Sequence, residues 1–234
     1  MSHRTNLGIP LEEYGKSENG IPLKWISPRE DCELLIIASI HGEEPETGVT
    51  LSRAFRSLEP ENLSPKIGAV LCANPDGIQL GTRGNANGVD LNRNFPAANW
   101  QAEPTGCRWF ADEPEEISIG TGVFAGSEME TQALVKLIEH ASPKMIIALH
   151  GPLACIDDPE NSKAGQWIAK ETDLPLVPDV GYPTPGSMGS WCSERNLPII
   201  TWEFPPDSIE SLSRSQSPVL EKILTGNSWN NSGL

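Results

Sequence analysis

Glu33-Leu34-Leu35-Ile36-Ile37-Ala38-Ser39-Ile40 is followed at once by His41-Gly42-Glu43-Glu44. The apolar run is long enough for a strand and far short of the roughly 20 residues of a membrane span. A strand wetted on one side alternates apolar and polar side chains, whereas a nearly continuous apolar run marks a strand buried on both faces. That points to a parallel or mixed sheet covered by helices. Residues 66–73 and 144–149 repeat the pattern, and residues 198–204 supply a fourth run. In the fourth, Ile200, Trp202 and Phe204 fall on one face and Thr201 and Glu203 on the other, because successive strand residues alternate.

Helical patterns lie between these strands, at residues 45–58, 127–141, 162–172, 187–196 and near 218–224. At the second, Ser127 and Glu130 have the S-x-x-E spacing of a capping box, and Met129, Ala133, Leu134, Leu137 and Ile138 form one apolar stripe. Strands alternating with helices predict an α/β fold with a mixed, mostly parallel twisted sheet flanked by helices. No repeat, low-complexity tract or linker divides the chain, so residues 1–234 are expected to form a single domain. Residues 75–126, about 50 positions rich in Gly and Pro, carry no sustained periodicity, and a loop that long is usually either functional or disordered. Trp100, Trp109, Phe110 and Phe124 argue against disorder.

Composition narrows the function. The 234 residues carry 17 Lys+Arg against 32 Asp+Glu, a formal net charge of −15. Duplex binding draws most of its affinity from cations on phosphates, so a nucleic-acid partner is excluded, and an anionic membrane surface is disfavoured likewise. Small-molecule or peptide chemistry is favoured. Hydrophobic residues make up 38% of the chain, enough for a real core and incompatible with a disordered one. Cys32, Cys72, Cys107, Cys155 and Cys192 include no C-x-x-C pair and read as free, mostly buried thiols. The first 14 residues are polar and lack the apolar core of a signal peptide. A cytoplasmic protein with no membrane partner is expected. A homodimer is left open, since no sequence feature argues for one.

In open α/β sheets ligands bind beyond the carboxyl ends of the strands. His41-Gly42-Glu43-Glu44 follows the first run and Asn74-Pro75-Asp76-Gly77 the second; His150 ends the third, and Glu203 lies near the end of the fourth. His41 and Glu44, at i and i+3, share one face of a helical turn. An imidazole and a carboxylate so placed can ligate Zn²⁺, and a second histidine would complete a His₂Glu set with one position open for water. The H-x-x-E pair alone is weak, because four His and 32 acidic residues supply roughly half of one such pair by chance. Placement says more: His3 is in the tail and His140 on the polar side of a helix, which leaves His41 and His150 as the histidines that end strands. At this point metal ligation and ordinary satisfied strand-end histidines stand equally open. Residues 82–96 hold Arg83, Asn92 and Arg93 among further Asn and Gly, like a hydrogen-bonded loop presenting forked donors to a carboxylate or an oxyanion. Tyr182 is one of two tyrosines and reads equally as a packed turn aromatic or a functional group.

In this order along the chain, His41-x-x-Glu44, Asp90-Leu91-Asn92-Arg93-Asn94, His150 and Thr201-Trp202-Glu203-Phe204 resemble the zinc carboxypeptidase family typified by carboxypeptidase A. The resemblance spans residues 40–204. It implies that His41, Glu44 and His150 hold one Zn²⁺, that Glu203 is the general base and that Arg83 stabilises the oxyanion. Asn92 and Arg93 would bind a free carboxylate beside the scissile bond, and Tyr182 would close over the substrate. Residues 85–100, 150–156 and 182–191 look like a bacterial, cytoplasmic branch of the family whose substrate is a small murein peptide, cut between γ-D-glutamate and meso-diaminopimelate in cell-wall recycling. For the zwitterionic far end of diaminopimelate the candidate partners are Asp157 and Asp158, against the ordinary reading of a solvated Asp-Asp-Pro turn. Two other functions compete: an N-acyl amino acid deacylase of the aspartoacylase and succinylglutamate desuccinylase type, and a murein-peptide-binding module without turnover. Tyr182 and residues 85–100 weigh against the first. Glu203 and Arg83 weigh against the second, since a binder needs neither a base nor an oxyanion donor.

Overall fold

The computed structural model describes residues 7–109 and 115–226. In chain order the elements are β1 (Glu12–Lys16), β2 (Pro22–Trp25), β3 (Leu34–Ile37), α1 (Pro45–Ser57), β4 (Ile67–Val70), α2 (Pro75–Leu80), β5 (Thr105–Trp109) and β6 (Glu115–Ile119). There follow α3 (Met129–Ala141), β7 (Met145–His150), β8 (Cys155–Asp157), α4 (Lys163–Thr172), β9 (Leu176–Val177), α5 (Met188–Ser193), β10 (Ile199–Glu203), α6 (Ile209–Ser215) and α7 (Ser217–Leu224). The central sheet has the order β4-β3-β7-β10-β8-β9. The first four strands are mutually parallel, β8 runs antiparallel to β10, and β9 is parallel to β8. The four apolar runs of the sequence are those four parallel strands, and an α/β fold with a mixed, mostly parallel sheet is what the chain forms.

Alternation sorts the strand side chains onto two covered faces. Leu34, Ile36, Ile147, Leu149, Ile200, Trp202 and Phe204 pack with Leu51 and Phe55 of α1, Ile168 of α4, Leu212 of α6 and Leu220 and Ile223 of α7. Leu35, Ile37, Ile146 and Ala148 face the other way, onto Leu134, Leu137 and Ile138 of α3 and Trp191 of α5. Each such Leu, Ile or Phe removed from water contributes about 1.5–3 kcal/mol before the entropy of ordering it. Cys32, Cys155 and Cys192 are buried free thiols and Cys72 is half-buried; the Cys107 side chain and Phe110 lie outside the described residues. No described helix is long and apolar enough to cross a membrane.

The structure corrects several expectations. Helix α3 starts at Met129 with Glu128 as its N-cap and no capping box: the Ser127 hydroxyl bonds the Glu128 carboxylate, and the Glu128 N–H donates to Oδ1 of Asn94 at 3.1 Å. A loop side chain thus takes the place of the local cap. Met129 stands 44% exposed, so the apolar stripe begins at Ala133. Residues 75–126 are not one long loop, for they contain α2, a 3₁₀ turn at Leu91–Arg93 and the β5–β6 hairpin. Strand β3 stops at Ile37, and Ser39 takes a positive φ of 52° before His41 is reached.

Candidate metal centre and its cleft

His41 and Glu44 occupy a tight turn between β3 and α1, in which the Glu44 N–H donates to the His41 carbonyl at 3.3 Å. Glu44 is the N-cap of α1, so the pair sits just before the helix rather than inside its first turn. The turn is possible because residue 42 is glycine: a Cβ there would lie on the carbonyls of Gly77 and Thr82, whose loop crosses against it. His150 arrives on β7. Nδ1 of His41 lies 2.7 Å from one oxygen of Glu44, and Nδ1 of His150 lies 3.1 Å from the other and 3.3 Å from Nδ1 of His41. All three side chains are buried, and their ligating atoms fall within 4.8 Å of one another.

Burial and Arg83 disfavour a charged His41, but the Glu44 and Asp90 carboxylates overcome them and push the imidazole up to about 9. The Glu44 carboxyl is held far below its ordinary range, because both histidines outweigh the cost of burying its charge. Two imidazole nitrogens and a carboxylate converging in a buried pocket are the donor set that Zn²⁺ takes, and the residues fit that ion.

Asp90, in the sequence only one acid of the Asp90–Asn94 segment, ties the site together. It is fully buried. Its Oδ1 accepts from Nε2 of His41 at 3.1 Å and from the Asn92 N–H at 2.8 Å, while its Oδ2 accepts from Nε of Arg83 at 2.8 Å. One carboxylate therefore orients a candidate metal ligand, a guanidinium and the start of the Asn92 turn, and a carboxylate behind a ligating histidine fixes its tautomer. Arg83 also donates through Nη1 to Glu43 at 3.0 Å. Burial is again overcome by Asp90 and Glu44, which hold its charge firmly in place.

Arg93 is 4% exposed, donates through Nη1 to the Asn92 carbonyl at 2.8 Å, and has a buried Nε with no partner among the described residues. Oδ1 of Asn92 accepts from the Met188 N–H at 2.8 Å. The loop that carries them is tied down as expected: Asn85 donates to Glu128 at 2.8 Å and Glu130 at 3.1 Å, and Asn94 to the Thr121 carbonyl at 2.8 Å. By contrast Asn74 only caps α2, accepting from the Gly77 N–H at 2.9 Å, and Asp76 anchors Ser17 of the turn between β1 and β2.

Glu203 closes β10 in register with His150 on one side and Cys155 on the other. It is 7% exposed, and its Oε2 accepts a long bond of 3.4 Å from the Leu153 N–H. Burial pushes its carboxyl up from the ordinary value, with His150 opposing. Tyr182 is half exposed; burial and Glu203 raise its phenol while Arg83 and Arg93 pull the other way, so it lies within the field of the same cleft. Asp157 and Asp158 part company. Asp158 is buried and accepts from the Ser162 N–H and hydroxyl, both at 2.7 Å, which fastens the turn into α4. Asp157 is half-buried at the end of β8, and its Oδ1 is buried without a donor among the described residues.

A family model described as zinc carboxypeptidase matches residues 11–156, more than half of the chain. The chain belongs to the zinc carboxypeptidase family. Within it, the sequence is 52% identical over 216 residues to murein peptide amidase A of Escherichia coli strain K12, covering 91% of this chain and 88% of that one. It is 46% identical over 205 residues to murein peptide amidase A of Vibrio campbellii, covering 86% and 82%. Among solved structures, murein-tripeptide amidase MpaA from Escherichia coli O157 superposes with a TM-score of 0.88 at 46% identity, over 96% of this chain and 98% of that one. Thrombin-activatable fibrinolysis inhibitor, at 17% identity and a TM-score of 0.70 over 94% of this chain and 70% of that one, shares the fold. A zinc carboxypeptidase fold of 234 residues thus carries its His-Glu-His group at the carboxyl ends of parallel strands.

Proposed function

We propose that this chain is a cytoplasmic, zinc-dependent amidase that hydrolyses the γ-D-glutamyl-meso-diaminopimelate bond of murein peptides in cell-wall recycling. The observation that carries the reading is the convergence of His41, Glu44 and His150 with Glu203 one strand away and in register with His150. The similarity to murein peptide amidases over nine-tenths of the chain supports the substrate class and favours it over the deacylase reading.

His41, Glu44 and His150 would hold one Zn²⁺ per chain. When bound there, the ion supplies Lewis acidity, polarising a substrate carbonyl and acidifying water to a pKa of about 7. Glu203 takes the proton of the attacking water on a carboxylate oxygen and passes it to the leaving amine; its burial, which favours the protonated form, makes it a competent carrier. Arg83, fixed by Asp90 and Glu43, faces the charge that develops on the carbonyl oxygen. Arg93 is a buried guanidinium with no carboxylate partner among the described residues. An unpaired buried cation is costly, and the substrate carboxylate beside the scissile bond relieves it, with Asn92 as the second donor. Tyr182, half exposed on its Gly-Pro turn, covers the bound peptide.

The reading is tested by incubating the purified protein with L-Ala-γ-D-Glu-meso-diaminopimelate, with and without a chelator, and following free diaminopimelate. Release that the chelator abolishes and zinc restores is expected. Absence of release from the zinc-loaded protein removes the reading.

A further inference from the structure

The mechanism leaves one carboxylate of the cleft without work. Asp157 lies on β8, opposite Thr201 of β10, while Cys155 lies opposite Glu203. Residues paired across strands project to the same face, so Asp157 shares the face of Glu203 and turns its back on Ile156 and Trp202 of the core. It is the diagonal neighbour of Glu203, at a Cβ separation of about 7 Å for that relation. From Glu203, Asp157 lies one step further back from the carboxyl ends of the parallel strands, on the same face of the sheet.

Its surroundings are those of a carboxylate awaiting a cation. Oδ1 is buried and meets no donor among the described residues, and no Lys or Arg there pairs with it. Burial, then Asp179 and Asp158, push its carboxyl up to about 6, with His150 opposing. Asp158 is spent on Ser162, as its bonds at 2.7 Å require, so the adjacent pair contains one structural and one unsatisfied member. A buried acceptor without a partner costs about 1–3 kcal/mol, and a charged group more. A ligand that brings an ammonium relieves it.

Resting on the amidase reading above, we propose that Asp157 is the residue of the cleft that selects the third amino acid of the substrate, its carboxylate receiving the ammonium at the far end of the diaminopimelate side chain. The substrate class this defines is a peptide whose residue after the scissile bond ends in a primary ammonium. Asp179 adds to the negative field, without being a ligand in this assignment.

The test compares two peptides, L-Ala-γ-D-Glu-meso-diaminopimelate and the analogue with L-2-aminopimelate in third place, which lacks only the distal amine. The zinc-loaded wild type should prefer the first in kcat/KM, and Asp157→Asn should shrink that preference roughly 10- to 100-fold, the worth of a hydrogen bond to a charged group. Asp157→Glu, which keeps the charge on a longer arm, should retain part of the preference, and Asp158→Asn should retain all of it. Thermal melting establishes that each variant is folded. An undiminished preference in Asp157→Asn, or its collapse in Asp158→Asn alone, overturns the assignment. If the wild type releases the third residue from neither peptide, the amidase reading falls and takes this one with it; release from both at equal rates leaves the amidase standing and overturns only the role of Asp157.

Discussion

Nε2 of His41 lies 3.1 Å from Oδ1 of Asp90, and the second oxygen of the same carboxylate holds Nε of Arg83 at 2.8 Å. The group that orients a candidate metal ligand therefore also orients the arginine proposed as the oxyanion donor. Asp90→Asn keeps the size of the side chain but removes the charge and one acceptor. Zinc affinity should fall about 10- to 100-fold, as for other partners behind ligating histidines, and kcat should fall as well because Arg83 loses its anchor. Competition with a chromogenic chelator measures the first effect, and unchanged affinity would contradict the linkage.

Glu203 makes no contact with the three metal-binding candidates short enough to count as a hydrogen bond, yet it adjoins them in register. Glu203→Gln should keep one zinc per chain and lose about 10²- to 10⁴-fold in kcat, the usual contribution of a positioned base. Metal analysis and turnover on the same sample decide it; a fully active variant removes Glu203 as the base.

Asp157 ties stability to pH in a direction opposite to that of an ion-paired acid. Its folded carboxyl titrates at about 6 against an ordinary 3.8, so between those values the folded chain holds the extra proton and stability declines as pH rises. The loss is complete above about pH 6. In the absence of substrate, Asp157→Asn should therefore melt higher than the wild type at pH 8, with the difference shrinking towards pH 4. A variant that melts lower at pH 8 would show that the carboxylate is satisfied.

Gly186 joins the Tyr182 turn to the Asn92–Arg93 loop. Its φ is +68°, its carbonyl accepts from the Phe95 N–H at 2.8 Å, and a Cβ would press on the Arg93 carbonyl and the Trp100 ring. Gly186→Ala should cost about 1–3 kcal/mol in stability from backbone strain and crowding, and should raise KM more than it lowers kcat, because Asn92 and Arg93, proposed to bind the substrate carboxylate, shift while Glu203 does not. Equal changes in both parameters would break that link.

The sheet was legible because strands covered on both faces are written as continuous aliphatic runs, and the polar residues that interrupt them at His41, His150 and Glu203 are conspicuous for that reason. Strands β8 and β9, of three and two residues, are too short to leave a pattern; β1 lacks a clean alternation, and β2 alternates exposed and buried residues over four positions only. Asp90 could be seen as one acid among 32, but its meaning is set by a histidine 49 positions earlier. Asp157 and Asp158 are the same residue type side by side, and only the structure separates them: Asp157 ends β8 on the face of Glu203, while Asp158, just past the strand, fastens the turn to Ser162.

The two margins of the central sheet share a property. On one side the sheet ends in β9, a strand of two residues; on the other, the outward N–H of Ala69 in β4 donates to the Ile26 carbonyl at 3.0 Å and its C=O accepts from the Ile26 N–H at 2.7 Å. Four strands this aliphatic would template the growth of a fibril if their ladder were open at either end. Here Ile26 occupies the outward backbone of Ala69, β9 offers only two residues, and a net charge of −15 repels a neighbouring chain. The interior that makes this chain fold is thereby kept from recruiting its own copies in a crowded solution.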